Sequence, residues 1–166
     1  MKNVIANLMN ASFVLLICVA ALFQIKEAQA QEILAGIDAD QRYCLQQNIY
    51  FEARNQSIVG KEAVAWVTLN RVDSKHYPDT ICDVVWQNKQ FSWTHDGKSD
   101  RPSDNVLEQR AWNRAGDVAN RVLYNWSMGR DGIVRDAIMY HADYVTPYWA
   151  ASYNRVSQVE SHIFYR

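Results

Sequence analysis

Residues 60–72 (GKEAVAWVTLNRV) form a segment whose middle turns are apolar on almost every side. Their apolar positions follow the period of an α-helix, and Val64 and Trp66 widen the apolar stripe into a nearly continuous surface. A helix that is apolar all round is buried, because it offers water no polar face. The chain has 166 residues, which is room for one domain of ordinary size. We therefore predict a single domain built around a buried central helix over residues 60–72.

Three more helices are predicted around the central one. Apolar residues recur at every fourth position over residues 42–54 (RYCLQQNIYFEAR) and predict a helix there. Residues 80–86 begin with a capping-box-like sequence, which predicts a short helix. Apolar steps of three and four residues predict a long helix over residues 104–128, capped by Ser103 or Asp104.

The remaining segments predict loops and short strands. Residues 31–40 are polar and without periodicity, and residues 87–102 read as a long irregular segment of the kind that tends to be functional. Residues 137–144 and 161–165 have the composition of short strands. The predicted fold class is therefore mainly α (α+β), with a small β element near the C-terminus.

The first thirty residues have the pattern of a secretory signal peptide. Lys2 supplies a positive start, residues 11–23 are apolar, and residues 28–30 (AQA) form a small-x-small cleavage sequence. The apolar run of 13 residues is shorter than the roughly 20 that a membrane-spanning helix needs. We therefore predict that residues 1–30 are removed on export, that no stable membrane anchor remains, and that residues 31–166 form the mature domain.

Export determines how the three cysteines are interpreted. Cys18 would leave with the signal peptide, so that the mature chain keeps Cys44 and Cys82. Two cysteines in an oxidising compartment usually pair. We predict a Cys44–Cys82 disulfide, which closes a loop of about 40 residues and adds roughly 3–4 kcal/mol to stability.

Charge and composition exclude several function classes. The formal net charge is −1, so that the chain has no basic surplus of the kind nucleic-acid-binding proteins usually show. No phosphate loop or dinucleotide fingerprint is present in the sequence. Aromatic residues make up 12%, and all six tryptophans follow residue 30. Flat amphipathic rings suit clefts that bind sugars or peptides, although core packing would also account for many of them.

Glu52 is the strongest candidate for acid–base chemistry. It lies near the end of the first predicted helix beside Tyr50 and Phe51. A carboxyl group among aromatic rings loses hydration, which raises its pKa and lets it act as a general acid. The structural alternative is that Glu52 forms an ion pair with Arg54 or Arg71.

Aromatic and hydrogen-bonding residues alternate in residues 90–93 (QFSW), within the long irregular segment. Sugars are bound in this way, with amides and hydroxyls on the sugar hydroxyls and rings stacked on the apolar faces. A second aromatic cluster near the C-terminus consists of Tyr140, Tyr144, Tyr148 and Trp149. The alternative for each ring is a place in the core.

Histidines allow two further chemistries. His141 and His162 lie in the two predicted strands, where they could face each other and bind zinc together with Asp143 or Glu52, as in a peptidoglycan amidase. No HExxH or HxxEH pattern supports such a zinc site. Cys44 with His141 could form a thiol–imidazole pair, which would require that Cys82 stays unpaired.

Several stretches of the sequence resemble the SleB/CwlJ-type cell-wall hydrolases, the family that includes spore-cortex-lytic enzymes. The matching stretches are residues 49–54 (IYFEAR), 60–65 (GKEAVA), 69–72 (LNRV), 77–85 (YPDTICDVV) and 90–92 (QFS). A thinner match follows at residues 137–141, 147–149 and 162–165. Their order and spacing span nearly the whole mature chain.

The resemblance implies a lysozyme-like, mainly α domain over residues 31–166 that cleaves the glycan strands of peptidoglycan. It assigns the catalytic acid to Glu52, the glutamate of the family's E-A-R motif. The family often continues with G-E, whereas Arg54 is followed here by Asn55 and Gln56, so that a second acid is missing at position 56. The residues we predict to bind substrate are Asn70, Gln90, Phe91, Ser92, Trp93, Tyr140, His141 and Trp149.

One carboxyl group can suffice when the substrate supplies its own nucleophile. The resemblance favours this route, that of a lytic transglycosylase that cleaves between N-acetylmuramic acid and N-acetylglucosamine. Hydrolysis of the muramidase type would need a second carboxylate, for which Asp83 and Asp96 are weak candidates. A zinc-dependent peptidoglycan amidase and a non-catalytic wall-binding module are the competing functions. We expect an exported monomer, periplasmic or associated with the cell wall, that acts on peptidoglycan without a metal or other cofactor.

Overall fold

The computed structural model describes the backbone of residues 2–166 and the side chains from residue 16 onward. Two compact units are present, residues 1–36 and residues 37–166. The first consists of helix α1 (Lys2–Gly36), which continues into the stretch predicted as a non-periodic lead-in. No helix in the described residues combines the length and apolar character needed to cross a membrane. Much of the predicted signal peptide lies outside the described side chains, and its cleavage stays a prediction.

The second unit is mostly helical, as predicted. Its helices are α2 (Ala39–Ala53), α3 (Ile58–Val72), α4 (Ile81–Val85) and α5 (Val106–Ser127). Short 3-10 helices lie at Ser92–His95 and Tyr148–Ser152.

Helix α3 is the buried centre of this unit, which confirms the prediction for residues 60–72. Every residue from Ala63 to Leu69 is buried, so that no turn in the middle of the helix has a solvent face. Helices α2, α4 and α5 all pack against α3, and α2 also packs against α5. Burial of this apolar surface positions α2, whose last turn carries Glu52.

Side-chain caps define where the helices begin. Thr80 accepts a hydrogen bond from the Asp83 amide at 3.1 Å, which is the predicted start of α4. For α5 the predicted cap, Ser103 or Asp104, is wrong, because Asn105 accepts from the Leu107 amide at 2.8 Å. The long helix therefore begins at Val106, and its end is followed by Gly129 at a φ of 66°.

A small antiparallel sheet forms the C-terminal part, in the order β1-β3-β2. Strands β1 (Met139–Ala142) and β3 (His162–Tyr165) lie within the two predicted strand segments. Strand β2 (Arg155–Val159) was not predicted. It is a partly buried edge strand whose register is irregular between Arg155 and Ser157. The sequence of such a strand shows little of the apolar alternation from which strands are predicted.

The predicted disulfide is present between Cys44 of α2 and Cys82 of α4, at a Cα–Cα distance of 5.2 Å. It links the helix that carries Glu52 to the helix that leads into residues 87–102. The bridge excludes a thiol–imidazole pair of Cys44 with His141 in this structure.

Candidate active site

Glu52 sits in the last turn of α2 with its side chain half-buried. Its Oε2 accepts a hydrogen bond of 2.8 Å from the hydroxyl of Tyr140, on strand β1. Tyr140 is itself held by ring contacts with His162 and Phe164, at centroid distances of 5.4 and 5.6 Å. The carboxyl group is therefore oriented by a side chain 88 positions further along the chain.

Burial raises the pKa of Glu52 above its usual range. Two weaker effects act in the opposite direction, namely the hydrogen bond from Tyr140 and the positive charge of Arg71. Because burial dominates, Glu52 holds its proton to higher pH than an exposed glutamate does. A carboxyl group in this state can donate a proton to a leaving group.

Arg71, on α3, is a buried cation fixed beside Glu52, with 2% of its surface exposed. Its Nε donates to the backbone carbonyl of Ile138 at 2.7 Å. The guanidinium lies over the rings of Tyr77 and Phe91, at 5.5 and 5.4 Å from their centroids. With the amide of Gln90 turned so that its oxygen faces Arg71, that oxygen accepts from both Nη atoms at 3.0 and 3.1 Å.

Neither arginine forms an ion pair with Glu52, so that the structural alternative for this residue is wrong. Arg54 donates instead to Glu108 of α5, at 2.8 Å, and the Tyr50 hydroxyl donates to the same oxygen. Among the described residues, Glu52 makes no ion pair within 4.0 Å. Its carboxyl group is thus available to a substrate.

Two surface cavities meet at Glu52. The larger, of about 330 Å³, is lined by Glu52, Arg71, Lys89, Gln90, Phe91, Ser92, Met139, Tyr140 and Trp149. The other, of about 260 Å³, is lined by residues 50–56. Among these lining residues Glu52 is the single carboxyl group. Glu52 is thus the one carboxyl group shared by both cavities.

The turn after Glu52 is held from two sides. Buried Lys61 donates to the backbone carbonyls of Arg54, at 3.0 Å, and of Gln56. The Gln56 amide donates to the hydroxyl of Ser161 at 3.2 Å, in the turn between β2 and β3. These bonds fix the floor of the smaller cavity, so that position 56 holds a neutral amide in an ordered place.

Five of the eight residues predicted to bind substrate line the larger cavity with Glu52. They are Gln90, Phe91, Ser92, Tyr140 and Trp149. Of the other cavity residues, Arg71, Lys89 and Met139 were not predicted to line the site. Arg71 could have been identified from the sequence as a candidate site residue, because it is a charged residue within the most apolar predicted helix.

The other three predicted residues lie elsewhere. Asn70 lines a different cavity and donates its amide to the carbonyls of Arg135 and Ala137, at 2.6 and 2.8 Å. Trp93 is 7% exposed and stacks on Phe51 with the ring centroids 4.6 Å apart. These contacts give both side chains a structural role.

His141 packs against a wall of the site without lining the larger cavity. Its Nε2 lies 2.9 Å from the Tyr165 hydroxyl, and its ring contacts Trp149 at 5.5 Å. The zinc alternative, in which His141 and His162 could face each other, does not match the sheet, because β3 pairs His162 with Ala142 and puts the two histidines on opposite faces. Within the described part of the chain, no three His, Cys, Asp or Glu side chains cluster in a way that would hold a metal ion.

Comparison with known proteins identifies relatives along most of the chain. The spore cortex-lytic enzyme of Halalkalibacterium halodurans is 26% identical over 136 residues, which is 82% of this chain and 38% of that enzyme. The spore cortex-lytic enzyme of Oceanobacillus iheyensis is 28% identical over 116 residues, or 70% of this chain and 38% of that enzyme. The chain thus spans about two fifths of the length of these curated relatives.

Solved structures show the same fold. The catalytic domain of the Bacillus cereus SleB protein superimposes with a TM-score of 0.61 at 24% identity, over 79% of this chain and 94% of that one. The catalytic domain of SleB from Bacillus anthracis, described as a germination-specific lytic transglycosylase, gives a TM-score of 0.58 at 23% identity and covers 79% and 98% of the two chains.

A comparison with protein families matches residues 55–165 to the family described as Cell Wall Hydrolase. The matched range begins just after Glu52 and includes Arg71, Tyr140 and the whole C-terminal sheet. Because it covers well over half of the chain, this protein belongs to the cell wall hydrolase family.

Proposed function

We propose that this chain cleaves the glycan strands of peptidoglycan between N-acetylmuramic acid and N-acetylglucosamine, as a lytic transglycosylase with Glu52 as its single catalytic carboxyl group. The observation that carries the proposal is the position of Glu52 as the one carboxyl group among the described residues that line both cavities. Membership of the family and the names of the relatives support a cell-wall substrate.

The reaction uses Glu52 twice. As an acid, Glu52 donates its proton to the glycosidic oxygen while the bond from that oxygen to C1 of the muramic residue breaks. As a carboxylate, it then takes the proton of the C6 hydroxyl of the same residue, whose oxygen attacks C1. The products are a 1,6-anhydro-muramic end and a free 4-hydroxyl on the leaving sugar, and Glu52 regains its proton.

Hydrolysis by two carboxylates would need a second carboxyl group, and among the described residues that line the two cavities Glu52 is the single one. A nucleophile would lie about 5 Å from the acid, and a base that activates water about 6.5–9.5 Å away. Neither weak candidate lines the two cavities. Asp83 accepts from the Thr80 hydroxyl at 2.6 Å at the start of α4, and Asp96 pairs with Lys98 at 3.3 Å.

The neighbouring groups support the role of Glu52 without taking part in bond making. Tyr140 orients the carboxyl group, and its hydrogen bond favours the carboxylate that forms when the proton leaves. The fixed charge of Arg71 acts in the same sense. Trp149 and Ser92 line the larger cavity with an aromatic ring and a hydroxyl-bearing side chain, which are the groups that bind the faces and hydroxyls of sugar rings.

The proposed activity requires that the mature chain acts outside the cytoplasm, where peptidoglycan lies. The predicted signal peptide would deliver it there, to the periplasm or the cell wall. The Cys44–Cys82 disulfide agrees with an oxidising compartment.

Mass spectrometry of the muropeptides released from purified sacculi tests the proposal. We expect 1,6-anhydro-muramic ends, and reducing-end muramic acid would show hydrolysis instead. Loss of activity in a chelator would indicate the zinc amidase, and binding to sacculi without release of products would indicate a wall-binding module.

Glu52→Gln keeps the size of the side chain and removes the acid, so that nearly all activity should be lost. The matched control is Glu62→Gln, because Glu62 lines neither cavity and pairs with Arg121 of α5 at 2.6 Å. Circular dichroism should show that both variants fold. If Glu52→Gln still clears sacculi at a rate near that of the control, Glu52 is not the acid.

A further inference from the structure

The larger cavity at Glu52 has a positive charge balance. Apart from the phenol of Tyr140, whose raised pKa keeps it neutral, its ionisable side chains are Glu52, Arg71 and Lys89. Glu52 is uncharged when it is ready to act as an acid. Arg71 is buried and already bonded to the Ile138 carbonyl, so that its charge is fixed within the wall. Lys89 is exposed, and the described residues give it no carboxylate within 4.0 Å.

The backbone at Lys89 adopts a conformation that L-residues rarely take. Its φ is 62°, in a turn closed by the hydrogen bond of 3.0 Å from the Gln90 amide to the Gln87 carbonyl. Glycine or asparagine is the usual residue at such a position, because a side chain there costs free energy. The turn places a lysine, against this preference, on the wall of the cavity that contains the acid.

We propose that Lys89 is a specificity-determining residue that binds the carboxylate on the C3 substituent of the muramic residue. The inference rests on the proposed function and names the feature of the strand that the site selects. The sugar rings of peptidoglycan are uncharged, and the anionic groups of the strand are carried by this substituent. They are the carboxylates of the peptide stem or, where the stem has been removed, the lactyl carboxylate itself.

Strands that carry these carboxylates should bind better than strands whose muramic residues are neutral. Muramic lactam is the neutral probe, since its lactyl carboxyl is tied up as an internal amide with the C2 nitrogen of the same ring. Because that nitrogen then carries no acetyl group, each substrate is compared between the wild type and the Lys89 variants. The contribution should be that of an exposed ion pair, and it should fade in about 1 M salt, where the Debye length is about 3 Å.

The test measures KM and kcat on three substrates, which are strands with peptide stems, strands trimmed to the lactyl carboxylate by an amidase, and strands that contain muramic lactam. Lys89→Gly removes the charge and suits the turn, so that its melting temperature should equal or exceed that of the wild type. We expect KM to rise by about two- to fivefold on carboxylate-bearing strands, with kcat and all values on the lactam strands unchanged.

Two further variants separate charge from backbone effects. Lys89→Arg retains the charge and should keep KM near the wild-type value on all three substrates. Lys98→Gln removes a charge from the same segment outside both cavities, where Lys98 already pairs with Asp96, and should change nothing. A rise on stem-bearing strands alone assigns the contact to a carboxylate of the stem, and a rise on trimmed strands alone assigns it to the lactyl carboxylate. A rise on both shows that Lys89 binds either carboxylate.

An equal change in KM on acidic and lactam strands, or no change in Lys89→Gly, would overturn the inference while the proposed function stands. If the wild type cuts none of the three substrates, the proposed function is refuted and the inference falls with it.

Discussion

Tyr140→Phe isolates the hydrogen bond that orients the acid. The hydroxyl of Tyr140 donates to Glu52 at 2.8 Å, while its ring is held separately by His162 and Phe164. Phenylalanine retains these ring contacts, so that the substitution removes one bond and leaves the packing of strand β1 in place.

A hydrogen bond to a charged group contributes about 1.5–3 kcal/mol. The bond from Tyr140 favours the carboxylate form of Glu52, so that it strengthens as the proton moves to the glycosidic oxygen. Its loss therefore destabilises mainly the transition state. We expect kcat to drop by about 10- to 150-fold with little change in KM.

The pH dependence gives a second and independent readout. The bond from Tyr140 lowers the pKa of Glu52 against the larger effect of burial, so that removing it raises the pKa further. Because Glu52 has to be protonated to act as an acid, the alkaline limb of kcat/KM should move to higher pH in Tyr140→Phe. A residue that only supported the fold would lower the rate without moving this limb.

Release of soluble muropeptides from sacculi across the acidic and neutral pH range provides the assay. Tyr43→Phe is the matched control, because Tyr43 lies on the same helix as Glu52, is 40% exposed and packs against Trp112. A loss of less than about threefold in Tyr140→Phe, or an alkaline limb that stays in place or moves down, would refute this role of the bond.

Three further predictions concern stability. Replacing Cys44 and Cys82 by Ala should cost about 3–4 kcal/mol, because the bridge joins residues 38 positions apart; a change below about 1 kcal/mol in urea unfolding would contradict this. Gly132→Ala should cost about 1–3 kcal/mol, because a Cβ there would overlap the Trp66 ring, and an unchanged melting temperature would show that the loop yields freely. Glu52→Gln should be more stable than the wild type at neutral pH. The folded state raises the pKa of Glu52, so its ionisation opposes folding once the pH passes the ordinary value of about 4.3. The gain should vanish below that pH in denaturant titrations, and a constant gain would rule out the ionisation of Glu52 as its cause.

The helices were predictable because their signals are local. Burial on all sides of α3 follows from an uninterrupted apolar run, and the start of α4 follows from Thr80 and its cap. The disulfide was predicted from the oxidising compartment that the signal peptide implies. Once Cys18 was assigned to the signal peptide, only Cys44 and Cys82 remained to pair. Strand β2 gave no comparable signal, since an irregular edge strand has neither a continuous apolar run nor a clear alternation.

The site was less predictable because its contacts are tertiary. Glu52 stood out through its aromatic neighbours, but the bond from Tyr140 joins residues 88 positions apart. Alternation of rings and polar groups identified residues 90–93 without showing which rings face the cavity. Phe91 supports Arg71 within the wall, whereas Trp93 stacks on Phe51 and lines neither cavity at Glu52.

Position 56 connects the fold of the site with its proposed chemistry. Gln56 stands where the resembling family often has a glutamate, and it lines the same cavity as Glu52. A carboxylate there would add a like charge near the acid, which raises the pKa of a neighbouring carboxyl, and would offer a second group for hydrolysis. The amide instead donates to Ser161, while the Gln56 backbone carbonyl accepts from Lys61. The site is thus ordered by neutral and cationic groups around one acid, and the proposed intramolecular attack by the muramic C6 hydroxyl requires no second carboxyl group.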